Sequence, residues 1–143
     1  MSEIRHVGRQ INILSHKIKR RIGKVGLEHG ISGMQVKILG FIYTNSSKRD
    51  IFQKNIEEEF DIRRSSVTSV LNLMEKNELI KRCSVSEDAR LKKIIITDKG
   101  IEVNKLVYKE IVKIEEIISA TLSKEELDIF IGNLVKLNNS ISE

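Results

Sequence analysis

From Ile4 to Val25 a large aliphatic side chain returns at every third or fourth position: Ile4, Val7, Ile11, Leu14, Ile18, Ile22 and Val25. That spacing is one face of an α-helix, and seven such residues in succession predict a long one, with Gly30 as its stop. The chain contains no proline, so no helix need be broken by a missing backbone donor. A second stripe runs through Val103, Val107, Ile111, Ile114 and Ile118. These stripes bracket a middle segment, about residues 32–97, too small to cover them. Uncovered apolar stripes of this length demand a partner. A second copy of the chain across a two-fold axis is the simplest one. An intrachain three-helix bundle of residues 1–30 and 101–143 is the alternative.

The middle segment punctuates itself. Ser32 with Gln35 three residues later predicts a capping box, in which the hydroxyl serves a free N–H and the amide reaches back. Met34, Ile38, Phe41 and Ile42 form the inward stripe of the helix that follows. The polar run "NSSKRD" is a loop. "IFQKNIEEEF" predicts a short third helix, with Ile56 and Phe60 inward and Glu57 to Glu59 outward. "DIRRSS" then turns the chain into a fourth helix held by Val67, Val70, Leu71 and Met74. Two short helices across a tight turn make a helix-turn-helix pattern. "ELIKRCSV" loses the helical period, and with the polar stretch "SEDAR" and "LKKIIIT" it predicts a β-hairpin. Thr97 caps the next helix, and Ser123 with Glu126 opens the last through a second capping box. The fold class is mainly α with a small β-hairpin wing, a winged helix-turn-helix flanked by dimerisation helices.

The fourth helix begins with a conflict. A helix N-terminus carries roughly half a positive charge, which disfavours cations there, yet Arg63 and Arg64 stand at this one. An anion supplied from outside resolves it, since helix N-termini and arginines both bind phosphate. With the apolar stripe turned inward, Arg64, Ser65, Ser66, Thr68, Ser69 and Asn72 lie on or near the free face. Arginine can bridge guanine O6 and N7, and short hydroxyls let a helix approach base edges. Ser65 and Ser66 as simple helix caps is the competing reading. In the wing, Arg90 suits the negative potential of a DNA minor groove. Lys92 and Lys93 lie where phosphates would pass, and a solvated turn is the alternative for "EDAR". Lys81 and Arg82 are phosphate contacts or edge charges that discourage strand pairing.

Net charge agrees with such a partner through its distribution. Residues 1–30 carry 7 basic and 2 acidic side chains (+5), residues 31–100 carry 13 and 10 (+3), and residues 101–143 carry 5 and 8 (−3). A basic front and an acidic tail fit parts that meet different partners.

This order of motifs resembles the MarR family of winged-helix transcription regulators over essentially the whole chain. The residues that carry the resemblance are "SGMQVKILGFI", "QKNIEEEFDIRRSSVTSVLNLMEKNELIKR", the wing "SEDARLKKIIIT" and the helix start "TDKG". The resemblance implies one MarR-like chain over residues 1–143. In it, residues 32–97 are the DNA-binding lobe, and residues 1–30 and 98–143 the helical dimerisation region. It implies a homodimer on pseudo-palindromic double-stranded DNA, a repressor released by a small aromatic or antibiotic-like effector whose site is unknown. It also implies that Ser65, Ser66, Thr68 and Ser69 meet bases or nearby phosphates, and that Asp88 pairs with Arg90 and fixes its pose. The chain departs from the family pattern at Phe52, at Glu57 and at Glu78, where the family usually has glycine.

Other chemistries find little support. Cys83 is the single cysteine, so no internal disulfide forms and a reducing cytoplasm is expected. A buried strand position is the better reading of it than an oxidant sensor. His6, His16 and His29 have no metal-ligand spacing, so no metal or cofactor is expected. No nucleophile–base pair or phosphate-cradling glycine loop marks an enzyme. No segment reads as a signal peptide or membrane span. A winged-helix protein-interaction module remains the alternative function.

Overall fold

The computed structural model describes residues 3–85 and 88–141, with the side chains of Asp88 and Ala89 outside the description. Six helices and one hairpin follow in the order α1 (Val7–Glu28), α2 (Gly33–Asn45), α3 (Gln53–Phe60), α4 (Arg64–Lys76), β1 (Ile80–Val85), β2 (Asp88–Ile96), α5 (Asp98–Thr121) and α6 (Lys124–Ser140). The chain divides into two compact units, Met1–Tyr108 and Lys109–Glu143.

The first unit holds the winged helix-turn-helix. Its core gathers Ile38, Leu39 and Ile42 of α2, Ile56 of α3, Val67, Leu71 and Met74 of α4, and Leu79 and Ile80 at the hairpin's start, all fully or almost fully buried. The apolar stripe of α4 is therefore inward, with Val70 half-buried at its edge. Phe41 and Phe60 are half-buried as well, and meet edge to face at 5.8 Å. Such a pair adds roughly 0.5–1.5 kcal/mol beyond the area it buries.

The helix ends show why the sequence stops them where it does. At α1, Ile31 N–H donates to the Gly26 carbonyl and Gly30 N–H to that of Leu27, with Gly30 at φ +71°. This six-to-one and five-to-two pair is a Schellman motif, which wants glycine at the left-handed position. At α4 the same pair recurs: Leu79 N–H donates to Met74 and Glu78 N–H to Glu75. Here the left-handed residue is Glu78, at φ +62°, where the family pattern has glycine. Leu79 and Met74, the two residues joined by the six-to-one bond, are both buried.

Four local features differ from the sequence reading. Helix α1 starts at Val7, not Ile4, since His6 takes a left-handed conformation at the N-cap. The predicted capping box of α2 is half made: Ser32 Oγ accepts from Gln35 N–H at 3.3 Å, but the Gln35 side chain is buried instead of reaching back. Val36 and Leu39 are buried where the inward stripe had been placed on Met34 and Phe41, both half-buried. Ile51 is not helical. It forms a bridge to Ile94, whose N–H donates to the Ile51 carbonyl at 2.7 Å, and α3 begins after it with Asn55 Oδ1 accepting from Phe52 N–H.

The start of α5 is locked to the hairpin. Thr97 Oγ1 accepts from Gly100 N–H at 3.0 Å and donates to the Glu78 carbonyl at 2.6 Å, while Thr97 N–H donates to the Leu79 carbonyl. Thr97 is thus the cap that the sequence predicts, and it also ties three elements together. Gly100 permits this, because a Cβ there would stand 2.3 Å from the Leu79 carbonyl oxygen.

In the second unit, Ser123 and Glu126 make both bonds of their capping box at 3.1 Å. Helix α6 has no buried residue, and Ile129, Ile131 and Val135 are more than half exposed. Among the described residues no helix is long and apolar enough to cross a membrane.

Candidate nucleic-acid interface

The turn between α3 and α4 is Asp61, Ile62 and Arg63, with Asp61 left-handed and Ile62 N–H closing onto the Glu57 carbonyl. Arg63 is the N-cap residue of α4 and Arg64 its first helical residue. Arg63 makes no side-chain cap bond, and no acidic residue occupies the first turn. Ser65 and Ser66 fall inside the helix, so neither is its N-cap. Arg63, Arg64, Ser65 and Ser66 are all exposed. This end of α4 therefore combines a positive helix terminus with two guanidinium groups and no acid of its own.

The next turn is more constrained. Thr68 Oγ1 donates to the Arg64 carbonyl and accepts from Gln53 Nε2, both at 2.8 Å. Its hydroxyl is turned toward α3 and half-buried. Ser69 is exposed, with its hydroxyl donating back to the Ser65 carbonyl at 3.1 Å. Gln53, which the sequence reading passed over, is the side chain that braces the two helices of the motif.

The wing is an antiparallel hairpin pairing Ile80 with Ile96, Arg82 with Ile94, Cys83 with Lys93 and Ser84 with Lys92. The register then slips, and Val85 pairs with Asp88. Residues 89–91 consequently bulge from β2. Bulges re-aim side chains at functional edges, and Arg90 sits in this one. Residues 88–90 belong to β2, so the polar stretch "SEDAR" that the sequence sets between the two strands is in part strand. The predicted Asp88–Arg90 pairing lies outside the described residues, because the Asp88 side chain does.

Strand alternation separates the two lysines. Lys92 lines an open cleft of about 470 Å³ with Lys54, Glu57, Arg64, Arg82 and Arg90. This cleft, between α3, the start of α4 and the wing, brings together three predicted residues, Arg64, Arg90 and Lys92. Lys93 faces the other way, toward a smaller hollow of about 260 Å³ lined also by Ser46, Arg49 and Asp50. The cleft lining carries five cationic side chains against the single acid Glu57. Lys54 has no neighbouring motif that would have flagged it in the sequence.

Arg82, on the cleft lining, is also engaged by α4. Its Nε donates to Glu75 Oε2 at 3.1 Å, and its Nη2 donates to Asn72 Oδ1 at 2.5 Å. The wing strand is thereby pinned to the outer side of α4. The Arg82 hydrogen bond and charge hold the Glu75 carboxyl below the ordinary carboxylate range. Cys83, the next residue, is a half-buried free thiol.

Comparison with known proteins agrees with this architecture. Residues 29–91 match the model of the MarR family. The HTH-type transcriptional regulator YdgJ of Bacillus subtilis (strain 168), itself uncharacterised, is 26% identical over 113 residues, covering 79% of this chain and 67% of that protein. The transcription regulator MarR from Oenococcus oeni PSU-1 superposes with a TM-score of 0.70 at 24% identity, over 94% of this chain and 99% of that one. The S. aureus MepR–DNA complex gives a TM-score of 0.72, also at 24% identity, over 94% and 99% of the two chains. At that identity the structural likeness speaks to the fold alone. The helix-turn-helix and hairpin, residues 29–91, are thus similar to the MarR family, and over nearly its full length the chain has the fold of those two solved structures.

Proposed function

We propose that this protein is a homodimeric, sequence-specific DNA-binding repressor that leaves its operator when a small ligand binds. The observation that carries the reading is the exposed first turn of α4, Arg63 to Ser66, opening onto a cleft lined by Lys54, Arg64, Arg82, Arg90 and Lys92. A helix terminus without its own anion, beside a basic cleft, fits a phosphate backbone. Arg64, Ser65, Ser66, Ser69 and Asn72 then address the major groove. Thr68 supports that surface from behind through Gln53. Arg90 reaches the minor groove, and Lys92 and Arg63 meet phosphate. Lys93, on the other face of the strand, meets phosphate only where the DNA passes the outer side of the wing. The MepR–DNA complex supports a DNA partner for this fold.

The dimer rests on exposed apolar surface. Val7, Ile11 and Leu14 of α1 are each more than two-fifths exposed, and α6 buries nothing. Residues 1–30 and 98–143 accordingly form the dimerisation region around a DNA-binding lobe of residues 32–97. Two such lobes read half-sites about one helical turn, roughly 10 bp, apart. A titration of the full-length protein against the DNA flanking its own gene, followed by fluorescence anisotropy, tests the reading. It predicts tighter binding to that DNA than to a scrambled duplex at equal salt. Equal affinities would refute it and favour a winged-helix protein-interaction module. A thermal-shift screen of phenolic compounds, antibiotics and metabolites tests for the releasing ligand.

A further inference from the structure

We propose that Arg82 is a positioning residue that turns Asn72 into a hydrogen-bond donor toward DNA, so that Asn72 selects guanine over adenine. The inference rests on the DNA-binding reading above and adds a direction to one of its contacts.

An asparagine amide has two faces, one accepting and one donating. A guanidinium has only donors, so the amide edge that meets Arg82 must be Oδ1, and the 2.5 Å bond to Nη2 is made by that atom. Asn72 is exposed, and its donating edge, Nδ2 with two N–H groups, is the one not turned to Arg82. Arg82 is itself held. Glu75, one turn after Asn72, accepts from Nε at 3.1 Å and from Nη2 at 3.4 Å. The strand beneath is fixed too, since Arg82 pairs across the hairpin with buried Ile94, which is bonded in turn to Ile51. The Arg82 side chain is only 22% exposed. Nothing in this arrangement leaves the amide free to flip.

The consequence follows from base-edge chemistry. An unrestrained asparagine reads adenine with both ends of its amide, accepting from N6 and donating to N7. With one lone pair of Oδ1 held by a cation, a second approaching donor such as adenine N6 meets the positive charge of Arg82, which disfavours that half of the pairing. Guanine offers two acceptors, O6 and N7, on the same edge. A donor-only amide suits it, and rejects cytosine, whose major-groove group is a donor.

Selection from a randomised duplex pool by the full-length protein tests this. Asn72→Ala locates the contact: it is expected to flatten the preference at one position in each half-site. In the wild type that position should be guanine, favoured over adenine on the order of tenfold. Arg82→Met frees Oδ1 and should move the same position toward adenine while the others keep their preferences. A purely structural role for Arg82 would weaken all positions alike. The inference is overturned if the Asn72-dependent position in the wild type is adenine, if Asn72→Ala flattens nothing, or if folded Arg82→Met keeps the guanine preference. The wild-type and Asn72→Ala results decide the matter even where Arg82→Met does not fold. A wild-type protein that enriches no sequence at all would overturn the DNA-binding reading itself, and this inference with it.

Discussion

Replacing Gly100 by alanine should unfold this protein more readily than any helical propensity scale suggests. The added Cβ would stand 2.3 Å from the Leu79 carbonyl oxygen and 2.8 Å from Ile96 Cγ1, where ordinary contact begins near 3.4 Å. The first obstacle is backbone, so relief requires the start of α5 to retreat from β1 by about 1 Å, the shortfall in that contact. That retreat strains the bonds Thr97 makes to Glu78 and Leu79. Overpacking of this kind costs about 1–3 kcal/mol, and a weakened hydrogen bond about 1 kcal/mol more. Alanine's better helix propensity returns about 1 kcal/mol. The net expectation is a loss of about 1–3 kcal/mol. Urea titration followed by circular dichroism, at matched protein concentration, reads it as a lower midpoint with unchanged slope. Gly23→Ala is the control. No atom lies within 4 Å of a Cβ there, and the change should stabilise by about 0.4–1 kcal/mol. A Gly100→Ala variant as stable as the parent would refute the argument that this glycine is a close-approach residue.

Glu78→Gly should raise the urea midpoint. A non-glycine residue at positive φ costs about 1–2 kcal/mol, only partly offset by the looser unfolded chain, leaving a gain of roughly 0.5–1 kcal/mol. A lower midpoint would show that the Glu78 side chain contributes something the geometry does not display. Arg90→Ala should weaken operator binding by about 1–3 kcal/mol, and an unchanged affinity would remove the wing from the interface. Lys92→Ala should weaken all duplexes alike and lower the slope of log affinity against log salt by about one. Glu75→Gln should cost stability at neutral pH, by less than about 1 kcal/mol because the pair is solvent-screened. The folded pKa of Glu75 lies below its ordinary value. Its contribution is therefore present above the unfolded pKa and lost as pH falls through the folded one. Melts of parent and variant should converge in acid, and a gap that persists there would refute an ionic origin.

Much of this fold is local enough to be legible in one chain. The period of the aliphatic residues places α1, α4 and α5, because burial of one helical face is written at a fixed spacing. The caps at Thr97 and Ser123 follow from residues three apart. Where the reading slipped, a non-local partner had decided. Ile51 looks like the first residue of α3, but its carbonyl is claimed by Ile94, more than forty positions away. Gln35 looks like the second half of a capping box, but burial in the core takes its side chain inward. Thr68 looks like a free hydroxyl, but Gln53 of the preceding helix fills it.

The sequence by itself determined the helices, the hairpin, the two arginines at a helix start and the long stripes that call for a partner. Each of these depends on side chains a few residues apart, so the chain's own spacing specifies them. The tertiary structure decided which charges work together. It placed Arg64, Arg90 and Lys92 on one cleft and turned Lys93 away from it. It put Arg90 on a bulge and gave Arg82 to Asn72 and Glu75. Those outcomes depend on strand register and on how the wing meets α4. Register is set by pairing between distant residues, and a single slip changes which side chains face each other.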